Sequence, residues 1–470
     1  MELETAVPES LSVLEKYNIV NIGVRAGQGH LTMAGELGRA EDLMAILYRH
    51  SQTEEEVRAS LRLNFLNDEI LTRIVPGRLN SLGIQVMNTF MNPIYKLGGA
   101  IADQTKTGEY PWDITYHAER RLAEVFARYV NKTNPDSLVF TLASGARITN
   151  VAKAKGLIRA DLPVFNIVCD PLGPDLTYGI YDPRSEFGID PHTINLVGDE
   201  RSRRIFLERG YPQEQVKLVN TFYARSLEEE ETVIAKMRDY EHFKTHGPDP
   251  LHPLQVSIVH DSFRTKFEDG VTLNILGDYA AEAQAGSIFF YMTVDRALLP
   301  KFGAKDDFVL IESAAGLEQL IQNPDQRAGR KGALIIKPGI TNDMATHSDY
   351  SRIQSLLAKQ THLNISRPSE HPRVAARFNT PSLMTIPFAS QEAYMARLYR
   401  NAGFAGHWMQ LSRGRLSAIR RRQSGLPQLD LMDPQSYRLL EKMAYAAGAS
   451  NQHNSIQEIQ HVIAGALEKR

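Results

Sequence analysis

Short apolar runs alternate with amphipathic stretches along the whole chain. Residues 17–24 read as a buried strand, and 137–143, 162–170, 193–199 and 215–220 are further strand candidates. Between them lie helical patterns. Residues 31–50 read as one helix, and in 117–132 Leu122, Val125, Phe126 and Tyr129 recur at helical spacing. The same alternation resumes at 255–261, 286–294, 307–313, 332–340, 361–368 and 381–388, and 434–470 reads as helix throughout. Strand following helix following strand predicts an α/β protein: two tandem doubly wound, Rossmann-like domains with a helical C-terminal tail. Residues 237–255 are polar and carry Pro248, Pro250 and Pro253, which marks the interdomain linker. The expected division is therefore 1–250, 251–430 and a tail, 431–470, packing back across the linker.

Such sheets bind ligands beyond the carboxyl ends of their strands. The loops there are where chemistry is to be sought. After the first strand comes Gly27-Gln28-Gly29-His30, with a helical pattern behind it. Glycines let a ligand approach the backbone, and a helix amino end favours negative charge. His30 is then either a base at a ligand site or the cap of a tight turn. The G-x-G-x-x-G dinucleotide spacing is absent. At the end of the strand at 162–170 stands Asp170, either a second base or a turn starter before Pro171. In the second half, one strand ends in Arg367-Pro368-Ser369-Glu370-His371, and Ser390-Gln391-Glu392 follow the next. Gln391 and Glu392 suit sugar hydroxyls, and Ser369 suits phosphate oxygens. A helix cap with acid in its first turn accounts for 390–392 equally well.

Composition narrows the partners. The formal net charge of −2 offers no field for nucleic acid. A single cysteine, Cys169, rules out a disulfide within the chain and argues against a cysteine zinc site, which fits a cytoplasmic setting. The N-terminus has no signal-peptide core, and no window is apolar for the length of a membrane span. The basic run 413–422, with Trp408, Leu411, Leu416 and Ile419 near it, is either a solvated helix face or a contact for anionic lipid on the inner membrane face.

Taken together, "AGQGHLTMAGEL", "VFNIVCDPLGPD" and "ISRPSEHPRVAARFNTPSLMTIPFASQEAY" resemble the GT-B glycosyltransferases. The branch concerned contains the N-acetylglucosaminyltransferase that forms lipid II and the monogalactosyldiacylglycerol synthases. The resemblance implies two domains facing each other across a cleft, and an inverting transfer of a sugar from a nucleotide-sugar, UDP-linked in that branch, to a hydroxyl acceptor such as a lipid. It places Gly27, Gln28, Gly29 and His30 on the acceptor side, with His30 or Asp170 as base. It places Ser262, Arg264, Arg367, Ser369, Glu370, Gln391 and Glu392 on the donor. The chain departs from the pattern at Asp261-Ser262-Phe263, where a glycine-rich loop is usual, at Ser369 for glycine, at Ala375-Ala376 for the ribose glutamate, and at Met395 for an asparagine. No Asp-x-Asp sequence occurs, so no metal cofactor is expected, and leaving-group charge falls to helix amino ends, Arg264 and Arg367. Two other readings stay open. One is a sugar-nucleotide epimerase using Asp113, His117, Asp170 and His260; the other is a non-catalytic binding protein of the same fold.

Overall fold

The computed structural model describes residues 13–23, 34, 37–64, 114–141, 143–168, 187–219, 227–259, 266–294, 296–302, 307–336, 344–369, 371–387, 390–450 and 455–469. They form two compact units. The first contains β1 (Ile19–Gly23), β2 (Ala40–Asp42), α1 (Leu43–His50), α2 (Glu54–Asn64), α3 (Ile114–Thr133), β3 (Ser137–Phe140), α4 (Ala143–Ala154), β4 (Val164–Val168), β5 (Thr193–Val197), α5 (Glu200–Glu208) and β6 (Val216–Leu218). All strand pairs are parallel, in the order β2-β1-β3-β4-β5-β6. Val20, Ile22, Leu138, Phe140 and Val164 pack on α1, α3 and α4 from one face, while Val139, Phe165, Ile167 and Leu196 are buried on the other. Both faces of the inner strands β1, β3 and β4 are covered, which is why these read as apolar runs, whereas Lys217 and Leu218 of the edge strand β6 are exposed.

The single helix expected over 31–50 is instead partly strand. Gly38 has φ +141, a conformation closed to most side chains, and the chain then pairs as β2 with β1, Asn21 opposite Ala40. Asp42 caps α1 by accepting from the Met44 amide at 3.2 Å.

The second unit holds α6 (Leu227–His246), β7 (Leu254–Val259), α7 (Lys266–Asp278), α8 (Ala280–Gln284), β8 (Ile288–Val294), β9 (Phe308–Ile311), α9 (Ala314–Gln322), β10 (Gly332–Ile336), α10 (Met344–Gln360), β11 (Leu363–Ser366), α11 (His371–Arg377), β12 (Ser382–Met384), α12 (Ser390–Asn401), β13 (Ala405–His407), α13 (Arg415–Gln423) and α14 (Pro434–Ser450). The last helix, α15 (Ser455–Glu468), groups with the first unit. The second sheet is also all parallel, ordered β13-β12-β11-β7-β8-β10-β9. Alternate residues divide between two cores. Val256, Ile258, Phe290 and Met292 meet α6, α7 and α14, and Phe289, Tyr291, Ala333 and Ile335 meet α9 and α10. The protein is thus two doubly wound parallel sheets, with helix at the C-terminus, as the alternation predicts.

The division between the units falls ahead of α6, not inside the proline-rich stretch. Buried polar bonds explain the allegiance of α6. Lys236 Nζ donates to the Ala358 carbonyl at 2.9 Å and to Thr380 Oγ1 at 2.6 Å, satisfying the carboxyl end of α10. The Tyr240 hydroxyl donates to the His362 carbonyl, and Arg377 grips Glu229 through Nε at 3.1 Å and Nη2 at 3.0 Å. Lys244 reaches Glu441 of α14 at 2.8 Å.

In the first unit the comparable anchor is Asp190, ahead of β5. Its carboxylate accepts from Lys153 Nζ of α4 at 2.6 Å and from Thr193 Oγ1 at 2.7 Å, and both charged side chains are buried. Removing one partner strands the other charge away from water. Lys153→Met or Asp190→Ala should therefore destabilise the first unit by about 3–5 kcal/mol in denaturant titration, whereas truncating the exposed Arg58–Glu54 pair should change stability by less than about 1 kcal/mol.

Two histidines of the second unit are held neutral. Burial, aided by the charge of Arg400, lowers His407 to about 4. Its Nδ1 accepts from the Met409 amide at 3.2 Å, and its own amide donates to Gln410 Oε1 at 2.7 Å. Gly406 leaves room for that glutamine: a Cβ there would sit 2.3 Å from Oε1. Burial also lowers His362, against the opposing pull of Asp239. Unfolded histidine titrates near 6.5. The unfolded chain thus takes up protons that the folded one refuses, so stability is full above about pH 6.5 and is lost as pH falls towards 4. The denaturation midpoint of the second unit should drop between pH 7 and pH 5. His407→Asn, which keeps a capping acceptor, should shrink that drop.

Candidate functional site

In each sheet the crossovers reverse direction beside the unit's first strand. In the first sheet the reversal lies between β1 and β3, and in the second between β7 and β11. The crevice at such a point is where doubly wound sheets take ligands. Gly27, Gln28, Gly29 and His30 follow β1 in the chain. They, Asp170, Ser262, Arg264, Glu370, Asp113 and His260 lie outside the described residues, as do the side chains of His117 and Gln391. Of the predicted site, Arg367, Ser369 and Glu392 are described.

These three come together beyond the carboxyl ends of β7, β11 and β12. Arg367 is the residue after β11, and its side chain is buried. Its Nε lies 3.5 Å from Glu268 Oε1, in the first turn of α7, and its Nη2 lies 3.9 Å from Glu392 Oε1, in the first turn of α12. The guanidinium charge is thus shared between two carboxylates. That suits Arg367 to hold both acids in place, more than to serve as a lone cation for a diphosphate. Glu392 sits in the first helical turn, where the helix dipole favours its charge.

Backbone bonds shape the loop. The Ser369 amide donates to the Arg367 carbonyl at 2.8 Å, and the Tyr399 hydroxyl donates to the Ser369 carbonyl at 3.2 Å. Thr385, the residue after β12, donates its amide to the Ser366 carbonyl at 2.9 Å. The hydroxyl oxygens of Ser369 and Thr385 are buried and have no hydrogen-bond partner among the described residues. Such hydroxyls are uncommon in folded proteins and suit a ligand with polar oxygens.

Glu268 and Thr385 were not legible as site residues. Glu268 reads as ordinary acid at a helix start, and only the pairing of β7 with β11 sets it against Arg367. Thr385 falls inside the strand expected over 381–388, and only the observed end of β12 at Met384 brings it to the loop. The departures at Ala375, Ala376 and Met395 have a packing reason: all three are buried, and Ala376 and Met395 join the core between β12 and α12.

Two arginines of the basic run are tied into the second unit, while Arg415, Arg420 and Arg422 are exposed. Arg413 pairs with Glu282 at 2.8 Å and Asp430 at 2.9 Å and lies 4.2 Å over the Tyr279 ring. Arg421 is buried and donates to the Met409 carbonyl at 2.7 Å and to the Ser412 carbonyl. Trp408 and Leu411 belong to the core of the second unit, Ile419 is exposed, and the side chain of Leu416 lies outside the described residues. No helix among the described residues is long and apolar enough to cross a membrane.

No protein-family model matches the chain, and no curated protein matches its sequence. Among solved structures, it is similar to the glycotransferase of kitacinnamycin, with 11% identity and a TM-score of 0.45 over 95% of this chain and 98% of that one. It is similar to the spinosyn rhamnosyltransferase SpnG, with 12% identity and a TM-score of 0.44 over 96% and 100%. It is also similar to MurG of Acinetobacter baumannii, with 14% identity and a TM-score of 0.40 over 74% and 79%.

Ser369→Ala and Thr385→Val separate a ligand role from a packing role. Neither substitution removes a hydrogen bond among the described residues, so the denaturation midpoint should hold or rise slightly. If the hydroxyls meet a nucleotide-sugar, each loss should weaken its binding roughly 2- to 12-fold by calorimetry.

Proposed function

We propose that this chain is a glycosyltransferase of GT-B architecture that moves a sugar from a nucleotide-sugar to a hydroxyl acceptor. The observation that carries the reading is the cluster of Glu268, Arg367, Glu392, Ser369 and Thr385 at the reversal point of the second sheet. Two carboxylates held by one arginine can accept hydrogen bonds from sugar hydroxyls, and the two hydroxyls can donate to phosphate oxygens. The division of labour follows the resemblance in the sequence: donor on the second unit, acceptor on the first, with a lipid hydroxyl as one acceptor class.

In this reading the acceptor hydroxyl attacks the anomeric carbon as the bond to the nucleotide diphosphate breaks. His30 takes the hydroxyl proton, with Asp170 as the next candidate. A helix amino end would disfavour imidazolium and keep His30 ready to accept that proton. One displacement with one base inverts the anomeric centre. The charge of the departing diphosphate falls to backbone amides at helix starts and to Arg264.

Incubation with a panel of nucleotide-sugars, with and without hydroxyl and lipid acceptors, tests the reading. Transfer with inversion, read by NMR of the product, is the expected result. An epimerised sugar with free nucleotide, a retained anomer, or binding without turnover each overturns it. His30→Ala should keep nucleotide binding and lose about 10²–10⁴-fold in transfer rate.

A further inference from the structure

The proline-rich stretch that reads as a linker carries chemistry of its own. His242 and His246 lie one turn apart at the end of α6, so both rings stand on one face, stacked at 4.8 Å. Gly247, at φ +72, ends the helix and turns the chain back. Asp249 then folds the following turn around its own carboxylate: Oδ1 accepts from the Leu251 amide at 2.7 Å and from the His252 amide at 2.9 Å. That fixes Oδ2 3.5 Å from His242 Nε2 and Oδ1 3.7 Å from His252 Nδ1. The rings of His242 and His252 are 4.3 Å apart. One ligand atom from each of His242, Asp249 and His252 falls within 4.8 Å of the others. His242 Nε2 is buried, faces this cluster and has no hydrogen-bond partner among the described residues.

We infer that His242, Asp249 and His252 form a binding site for a divalent transition cation of the zinc class. Tetrahedral zinc with bonds of about 2.0–2.1 Å to nitrogen and oxygen sets its ligand atoms about 3.4 Å apart. The two imidazole–carboxylate separations are already within a few tenths of an ångström of that. His252 is 53% exposed and free to close the remaining distance. Two imidazoles and one carboxylate, with no thiolate, select zinc, nickel or copper over calcium or magnesium. Water fills the fourth position, with His246 beside it as an alternative after a rotamer change. The cluster stands at the amino end of β7, whereas the candidate ligand site stands beyond its carboxyl end. The ion would therefore tie the end of α6 to the turn entering a central strand. Its effect is on stability, and it does not depend on the proposed transfer reaction.

The test uses the full chain, stripped with chelator and titrated with Zn²⁺ by calorimetry, and with Co²⁺ followed by visible absorption. One equivalent should bind, with the Co²⁺ spectrum of a tetrahedral site, and saturating Zn²⁺ should raise the melting temperature by roughly 5 °C or more. Asp249→Asn, which keeps the turn's acceptor oxygen, should weaken binding at least about tenfold. The double variant His242→Ala/His252→Ala should abolish it while circular dichroism stays unchanged. His461→Ala, an exposed histidine on α15, should bind as the parent does. No saturable binding below about 100 μM Zn²⁺, or binding that survives in the double variant, overturns the inference.

Discussion

A parallel strand cannot pair with its neighbour unless the chain first crosses over the sheet and returns. Every strand pair described in this protein is parallel, so that constraint governs everything else. The crossovers place helices over both faces of the second sheet and bury residues such as Ile258 and Tyr291 on opposite sides of it. They also deliver each loop after a strand to the same end of its sheet. The convergence of Glu268, Arg367, Ser369, Thr385 and Glu392 is a consequence of that geometry.

Buried charge is the second organising feature. Lys153 with Asp190, Lys236 at the end of α10, and Arg367 between Glu268 and Glu392 are all withdrawn from water. Each faces oxygen partners that offset the cost of burying its charge. In the first two cases the partners belong to the scaffold and the bonds fix where elements lie. At Arg367 the partners are themselves ligand-capable acids, and the neighbouring hydroxyls are left without partners among the described residues. That difference separates a structural ion pair from a candidate site.

The position of α6 links the fold to its least expected feature. Its inner face is bound into the second unit through Lys236, Tyr240 and Phe243. Its final turn is thereby presented beside the turn that enters β7, which sets His242 and His252 against Asp249. A flexible linker could not hold them so. The stretch gathers them because proline and Gly247 stop the helix while the Asp249 carboxylate closes the following turn by accepting from the Leu251 and His252 amides.

Much of the architecture was legible because buried parallel strands are unbroken apolar runs and the helices between them keep a 3.6-residue period. Strand, helix and fold class, and the loops after β11 and β12 as places for chemistry, follow from that local pattern alone. The pattern failed where tertiary pairing overrode it. Residues 40–42 look helical but complete the edge of a sheet, because β1 offers unpaired backbone groups there and Gly38 permits the turn. The allegiance of α6 was invisible, because a helix shows which face is apolar but not which core receives it. Glu268 carries no mark of a site in the sequence, since its meaning arises only when β7 and β11 are neighbours. The chain by itself determined which segments become strands and helices, through local periodicity and turn residues. Only the tertiary structure decided which distant side chains meet, because strand order is set by the packing of all the crossovers at once.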